Sequence, residues 1–395
     1  MAESFDIIVS GGGVAGLTAA CLFGSDGRRV LCVDPTPPVT LRDSEGADLR
    51  STAFLQPSVQ VLERAGVWIK LAPFANPLET MRIADAATDG TVRTSRDFNA
   101  SDISELPFGW NIPNWLIRRE LVARLEDLET VDFRPGVATT RMLARTSGAK
   151  VWLSEGDPVT ADLVIAADGR NSALRQNAGI EVKTTRYGQK ALAFAVTHPV
   201  PHENVSTEIH RTGGPFTLVP LPDYDGTPSS AVVWMETGAE AQRLFDLDEA
   251  AFEAEMSHRS CHVMGPLTLA SRRTIWPIIS QIADRFSAQR LALVAEAAHV
   301  VPPIGAQGLN MSLADLDLLR ELSAKHPLGS DAMLQTYDRR RRLDVRFRVT
   351  GIDLLNRTSM TDAQWFRDLR RAGIGLIHDA APVRKTLMQL GLGAR

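Results

Sequence analysis

Six consecutive residues, Gly11-Gly12-Gly13-Val14-Ala15-Gly16, set glycines in the order G-x-G-x-x-G between an apolar run and an alanine-rich one. The spacing suits one piece of chemistry. Gly11 permits a tight turn, Gly13 lets the backbone approach a pyrophosphate, and Gly16 lets a helix lie close on a strand. Val14 and Ala15 open that helix, whose first N–H groups and positive dipole end face the phosphates. Asp34 ends the next apolar run, about 20 residues on, where a carboxylate can accept hydrogen bonds from ribose hydroxyls. The pattern predicts a dinucleotide site and leaves NAD and FAD equally open.

Other chemistry-bearing residues are scattered. His198, His202 and His210 do not have metal-site spacing and read as strand and turn residues. No catalytic triad or carboxylate pair stands out, and no metal is expected. Cys21, Cys32 and Cys261 are too widely separated for a zinc site or a disulfide framework, which suits a reducing compartment. Arg339–Arg342, Arg346 and Arg348 form a basic run on an expected helix. Arg367, Arg370 and Arg371 follow among Trp365, Phe366 and Leu369. Such a run is either a solvated face with local ion pairs or a surface for anionic lipid or a protein partner.

The elements that must hold the glycine loop follow from patterning. Phe5–Ser10 reads as a buried strand, Val14–Phe23 as a helix and Val30–Val33 as a second strand, the opening of a parallel sheet. A helix is expected from Gln56, with Pro57 in its first turn, and another over Arg118–Leu128. Strands are expected at Lys150–Leu153 and Asp162–Ala167, and residues 79–98 read as a strand pair outside that sheet. Residues 188–237 alternate apolar and polar, with turns near 199–204, 213–215 and 222–228. That pattern predicts an antiparallel sheet in an inserted domain. Arg290–Val294 returns to a buried strand. Gly305–Leu322 and Asp331–Asn356 are expected helices, and 361–392 holds two more.

The chain of 395 residues, 44% hydrophobic and 23% charged, has the composition of a folded α/β protein. The expected division is a Rossmann-like dinucleotide domain (1–75, 99–182 and 273–325), an inserted antiparallel-sheet domain (76–98 and 183–272), which the resemblance given below implies is the substrate domain, and a C-terminal helical region (326–395). A net charge of −4 argues against a nucleic-acid partner. Ile7–Ser25 is uncharged, but it follows Met-Ala-Glu-Ser-Phe-Asp and contains three consecutive glycines. It is therefore neither a secretory signal nor a membrane span. A cytoplasmic protein is expected, membrane-associated at most.

Several segments, in order, resemble the flavin-dependent aromatic hydroxylases. Asp162-Leu-Val-Ile-Ala-Ala-Asp168-Gly169-Arg170-Asn171-Ser172 resembles their Asp-Gly fingerprint. Ala298-His299-Val-Val-Pro302-Pro303-Ile-Gly305-Ala-Gln307-Gly308-Leu309-Asn310 resembles their second FAD motif. Asp48-Leu-Arg50 and Trp115-Leu-Ile-Arg118 resemble two arginine segments that border FAD. Gly213-Gly-Pro215-Phe-Thr-Leu-Val-Pro220, Val232-Val-Trp234 and Leu355-Asn356-Arg357 are similar to the ubiquinone-biosynthesis branch, the UbiH/UbiF group.

The resemblance implies FAD as cofactor, NADPH or NADH as electron donor, and hydroxylation of an aromatic ring, that of a prenylated phenol, through a flavin C4a-hydroperoxide formed with O₂. It sets Gly305, Gly308, Leu309 and Asn310 against the flavin, Arg50 and Arg118 near the phosphates, and Asp168 on the cofactor. The backbone of Pro303 would border the reacting ring. Where the family carries Gly-Asp, with the Asp on a ribityl hydroxyl, this chain has Ala295-Glu296, so Glu296 is expected beside the ribityl chain on a longer arm. His210 stands where the family often has an aromatic residue. A quinone-biosynthesis complex and peripheral membrane contact are implied partners. Three alternatives stay open: a hydroxylase of a small soluble phenol, an FAD-dependent prenyl reductase, and a non-catalytic subunit of such a complex.

Overall fold

The computed structural model describes residues 3–211, 213–360 and 381–392. It opens with strand β1 (Ser4–Ser10), helix α1 (Val14–Ser25) and strand β2 (Val30–Asp34). Ile7, Ile8 and Val9 of β1 are all fully buried, in a sheet interior against which α1 packs. Helix α1 is buried from Ala15 to Gly24, so it carries no polar face. The main sheet runs Val131–Pro135, β2, β1, Val159–Ala166 and Leu291–Leu293, all parallel. A hairpin, Thr139–Arg145 with Gly148–Leu153, pairs with the first half of Val159–Ala166 and completes an eight-stranded sheet with the edge strand Ser287–Ala288.

The second sheet has nine strands and is antiparallel except where Val205–His210 runs parallel to Thr80–Ala86. The strand pair expected within 79–98 is its far edge, Thr80–Ala86 with Val92–Asn99. One face packs Leu192, Phe194, Phe216, Val232 and Trp234 against Phe252 and Met256 of helix Glu249–Arg259. The other face carries Ala191, Met235 and Ile278, with Tyr187, Trp276 and Ile304 packed on them. At the opposite edge, His299–Val300 pairs with Gln281–Ile282. The segment that resembles the second FAD motif therefore grows out of the second sheet.

Two expected helix starts need correction. The helix expected at Arg118 begins four residues earlier, at Asn114, because the extended Pro113 sets its start. The helix expected at Gly305 begins at Gln307, because Gly305 and Ala306 are left-handed (φ +63° and +55°). A small third sheet of Ser51–Leu55, Gly109–Pro113 and Asn76–Leu78 had no clear sequence signal. The last long helix extends to Asp331–Met360, and Ala381–Leu392 is helical. Trp365, Phe366, Arg367, Leu369, Arg370 and Arg371 lie outside the described residues.

Candidate active site

The glycine loop divides its tasks sharply. Gly11 has φ +113°, and a Cβ there would sit 2.2 Å from the carbonyl oxygen of Ala167. A Cβ on Gly16 would sit 1.8 Å from the carbonyl oxygen of Gly11, so the α1–β1 approach requires glycine. Gly13 differs: a Cβ there would meet nothing within 4 Å. The space above Gly13 is open, at the N-terminus of α1. Asp34 is fixed beside it. Its Oδ2 accepts from the Gly12 N–H at 2.5 Å and its Oδ1 from the Thr36 N–H at 2.7 Å.

The Asp-Gly segment and the Ala295–Asn310 segment are tied together by Arg175, which is buried. Its Nη1 donates to the Ala297 carbonyl (2.9 Å) and its Nη2 to the Arg170 carbonyl (2.8 Å). The Leu174 N–H donates to Asp168 Oδ2, while Oδ1 is buried without a partner among the described residues. Burial pushes the Asp168 carboxyl above its ordinary range, against hydrogen bonds from Ser172 and the backbone. Glu296 is half exposed and lies 3.4 Å from Arg170 Nε. Asn310 spends its side chain on the fold: Oδ1 accepts from the Leu55 N–H, and Nδ2 donates to Ala53 and Ala306. Pro303, Gly305 and Gly308 are exposed, and Leu309 is half-buried.

Arg50 and Arg118 meet at Asp48. Arg50 makes a bidentate pair with it (2.8 and 2.7 Å) and lies 5.3 Å over the Trp276 ring. Arg118 Nη2 is 3.8 Å from Asp48, and its buried Nε has no partner among the described residues. Burial works to raise the Asp48 carboxyl, but Arg50, Asn114 and Arg118 hold it below its usual range.

Sequence reasoning missed the cluster beneath the loop. Asp315 has a side chain with no exposure. It accepts from the Ala295 N–H (3.1 Å), His299 Nε2 (2.8 Å) and Arg341 Nε (2.7 Å). Arg348 Nη1 donates to Gln307 Oε1 (3.0 Å), and Gln307 Nε2 donates to the Gly305 carbonyl (2.9 Å). Helix Asp331–Met360 thus grips both ends of the loop. A signal existed: Asp315 lies at four-residue spacing between Met311 and Leu319, on a stripe that is otherwise apolar.

These residues fit an FAD. Cβ atoms placed on Gly13 or Gly169 would meet nothing within 4 Å, and those on Gly305 and Gly308 would find their nearest atoms at 3.9 and 4.0 Å. These four motif glycines therefore leave room beside the backbone, as close approach of a ligand requires. The unmatched Arg118 N–H and Asp168 oxygen suit its phosphate and hydroxyl groups. Among the described residues, no cluster of His, Cys, Asp and Glu is placed to hold a metal.

The family model described as FAD binding domain matches residues 4–350, and the chain belongs to that family of FAD-dependent monooxygenases. Its place there is the ubiquinone-biosynthesis hydroxylase branch. It is 31% identical to the ubiquinone hydroxylase UbiL of Rhodospirillum rubrum, over 98% of this chain and 89% of that one. It is 25% identical to the 3-demethoxyubiquinol 3-hydroxylase of Escherichia coli, over 98% of each. In fold it matches the crystal structure of p-nitrophenol 4-monooxygenase PnpA from Pseudomonas putida, with a TM-score of 0.79 at 18% identity over the whole of both chains.

Proposed function

We propose that this enzyme hydroxylates the ring of a polyprenylated phenol on the route to ubiquinone. The observation that carries the reading is the meeting of two surfaces. The exposed Pro303–Gly308 loop faces the apolar side of the second sheet, where Ile304 packs with Ala191, Met235, Ile278, Trp276 and Tyr187. An aromatic ring fits between an apolar sheet and a flavin-bearing loop.

Bound FAD, reduced by NADPH or NADH, supplies oxygen activation and transfer to the ring. The chain supplies position. Gly11, Gly13, Val14, Ala15 and Gly16 receive the pyrophosphate, Asp34 the ribose, and Arg50 and Arg118 the phosphate charge. Asp168 takes a cofactor hydroxyl. The backbone at Gly305, Gly308 and Leu309 lies along the flavin, with Asn310 anchoring that turn to strand Ser51–Leu55. The Pro303 carbonyl borders the ring, and Glu296 turns toward the ribityl chain from its pair with Arg170. The apolar sheet face excludes water from the reacting atoms. The division into cofactor (1–75, 99–182, 273–325), substrate (76–98, 183–272) and C-terminal (326–395) parts belongs to the same reading, as does membership of a quinone-biosynthesis complex. Among the described residues, no helix is long and apolar enough to cross a membrane.

The test is quinone-intermediate profiling of a deletion strain, together with NADPH-dependent oxygen uptake by the purified yellow protein. A prenylated intermediate lacking one ring hydroxyl is expected to accumulate. An unchanged quinone pool, or oxygen uptake stimulated only by small soluble phenols, rejects the prenylated substrate.

A further inference from the structure

Helix Asp331–Met360 has two unlike faces. Arg341, Val345, Val349, Ile352 and Asn356 are buried on the inner one. On the outer one, Leu343 is 74% exposed, Phe347 71% and Leu354 63%. Their spacing of four and seven residues lines them up along one edge of the helix, a stripe about 16 Å long at 1.5 Å per residue. Three large apolar side chains held in water at helical spacing call for a partner.

The flanks of the stripe are cationic. Arg339, Arg346 and Arg357 border one side and Arg340 the other, by helical spacing, and all four are exposed. Arg340 lies 3.6 Å from Glu321, and Arg357 pairs with Asp353 at 2.8 Å. Arg339 and Arg346 have no carboxylate partner among the described residues. The helix as a whole carries seven arginines against four aspartates, in a chain whose net charge is −4. Positive charge is therefore concentrated on this element.

We propose that this outer face docks the enzyme on an anionic lipid bilayer, with Leu343, Phe347 and Leu354 entering the headgroup boundary and the flanking arginines meeting lipid phosphates. A second copy of the chain fits the surface poorly. Pairing two such stripes would set arginine against arginine on both rims. A stripe of about 16 by 10 Å also falls well short of the roughly 800 Å² per partner that stable complexes bury. A bilayer needs no such area, because apolar insertion and phosphate attraction add along a single helix. This docking face would serve the enzyme whichever phenol it hydroxylates.

The experiment sediments full-length holoenzyme with vesicles of phosphatidylcholine alone, and with vesicles that also contain phosphatidylglycerol, at low and high salt. Wild type should partition onto the anionic vesicles and be released by salt. Leu343→Glu/Phe347→Glu and Arg339→Glu/Arg346→Glu should each lower that partition by about tenfold or more, with flavin content and melting temperature unchanged. Failure of the wild type to bind, or equal binding by wild type and both variants, overturns the proposal. So does light scattering that shows a wild-type dimer dissociated by Leu343→Glu/Phe347→Glu, which would assign the stripe to a second copy.

Discussion

Gly13 and Gly16 sit three residues apart and should respond oppositely to substitution. Gly13→Val places its branches in open space, so the variant should fold and melt normally yet purify without yellow colour. Gly16→Ala meets the Gly11 carbonyl at 1.8 Å and should fail to fold. Flavin absorbance and a thermal melt on each variant check both outcomes. Ala295 offers the reverse case. The family's glycine is an alanine here, and it sits at φ +53°, a conformation L side chains disfavour. Ala295→Gly should raise stability by about 1 kcal/mol, read as a shift in denaturant midpoint. The glycine loop was legible in the sequence because its constraints are local: a turn, a close approach and a helix start within six residues. The His299–Asp315–Arg341 cluster was not, because three elements bring it together. The expectation that Arg341 belongs to a solvated run or a lipid surface fails for the same reason, since the helix turns that residue inward while Arg339 and Arg346 face out.

At the scale of elements, helix Asp331–Met360 clamps the 295–310 loop that we propose faces the flavin, and its two grips should be separable. Arg341→Ala leaves Asp315 buried with one fewer cation and should cost about 3–5 kcal/mol of stability. Arg348→Leu removes the hold on Gln307, and through it on Gly305, together with a partly exposed i,i+4 pair with Asp344 at 3.2 Å. Its stability should change little, while FAD binds more weakly by fluorescence titration. An unaltered FAD affinity in Arg348→Leu would show that Arg348 is not needed to hold the turn. The long strands and helices were legible because periodicity accumulates over many residues. The three-stranded sheet was not. Asn76–Leu78 is too short for a pattern, and Ser51–Leu55 finds Gly109–Pro113 only across more than fifty residues. The early start at Asn114 follows from Pro113, whose effect on the helix start went unread.

For the whole molecule, two buried carboxyls bound the pH range of stability from opposite sides. Burial pushes the Glu236 carboxyl up to about 7, against the pull of Arg259, whose Nε lies 3.9 Å away. Between the unfolded value near 4.3 and that point, the folded chain holds the extra proton, so stability falls as pH rises, by up to about 4 kcal/mol. Glu236→Gln should flatten that slope and raise the melting temperature above pH 7. Asp315 has the other sign. Burial alone would raise its carboxyl, but His299 and Arg341 hold it below its usual range. Its contribution is complete above the unfolded value and is lost as pH falls through the folded one, so an acid limb should persist in Glu236→Gln. The joining of distant segments also has a consequence for biogenesis. The proposed flavin bed begins at Gly11, but its far wall is residues 295–310 and its clamp is Arg348. A ribosome adding roughly 5–20 residues per second needs about 20–70 s to travel that far. For that interval the nascent chain displays a glycine loop with nothing opposite it. Cofactor capture then belongs to the completed chain, and a cell short of flavin would accumulate full-length colourless enzyme awaiting its FAD.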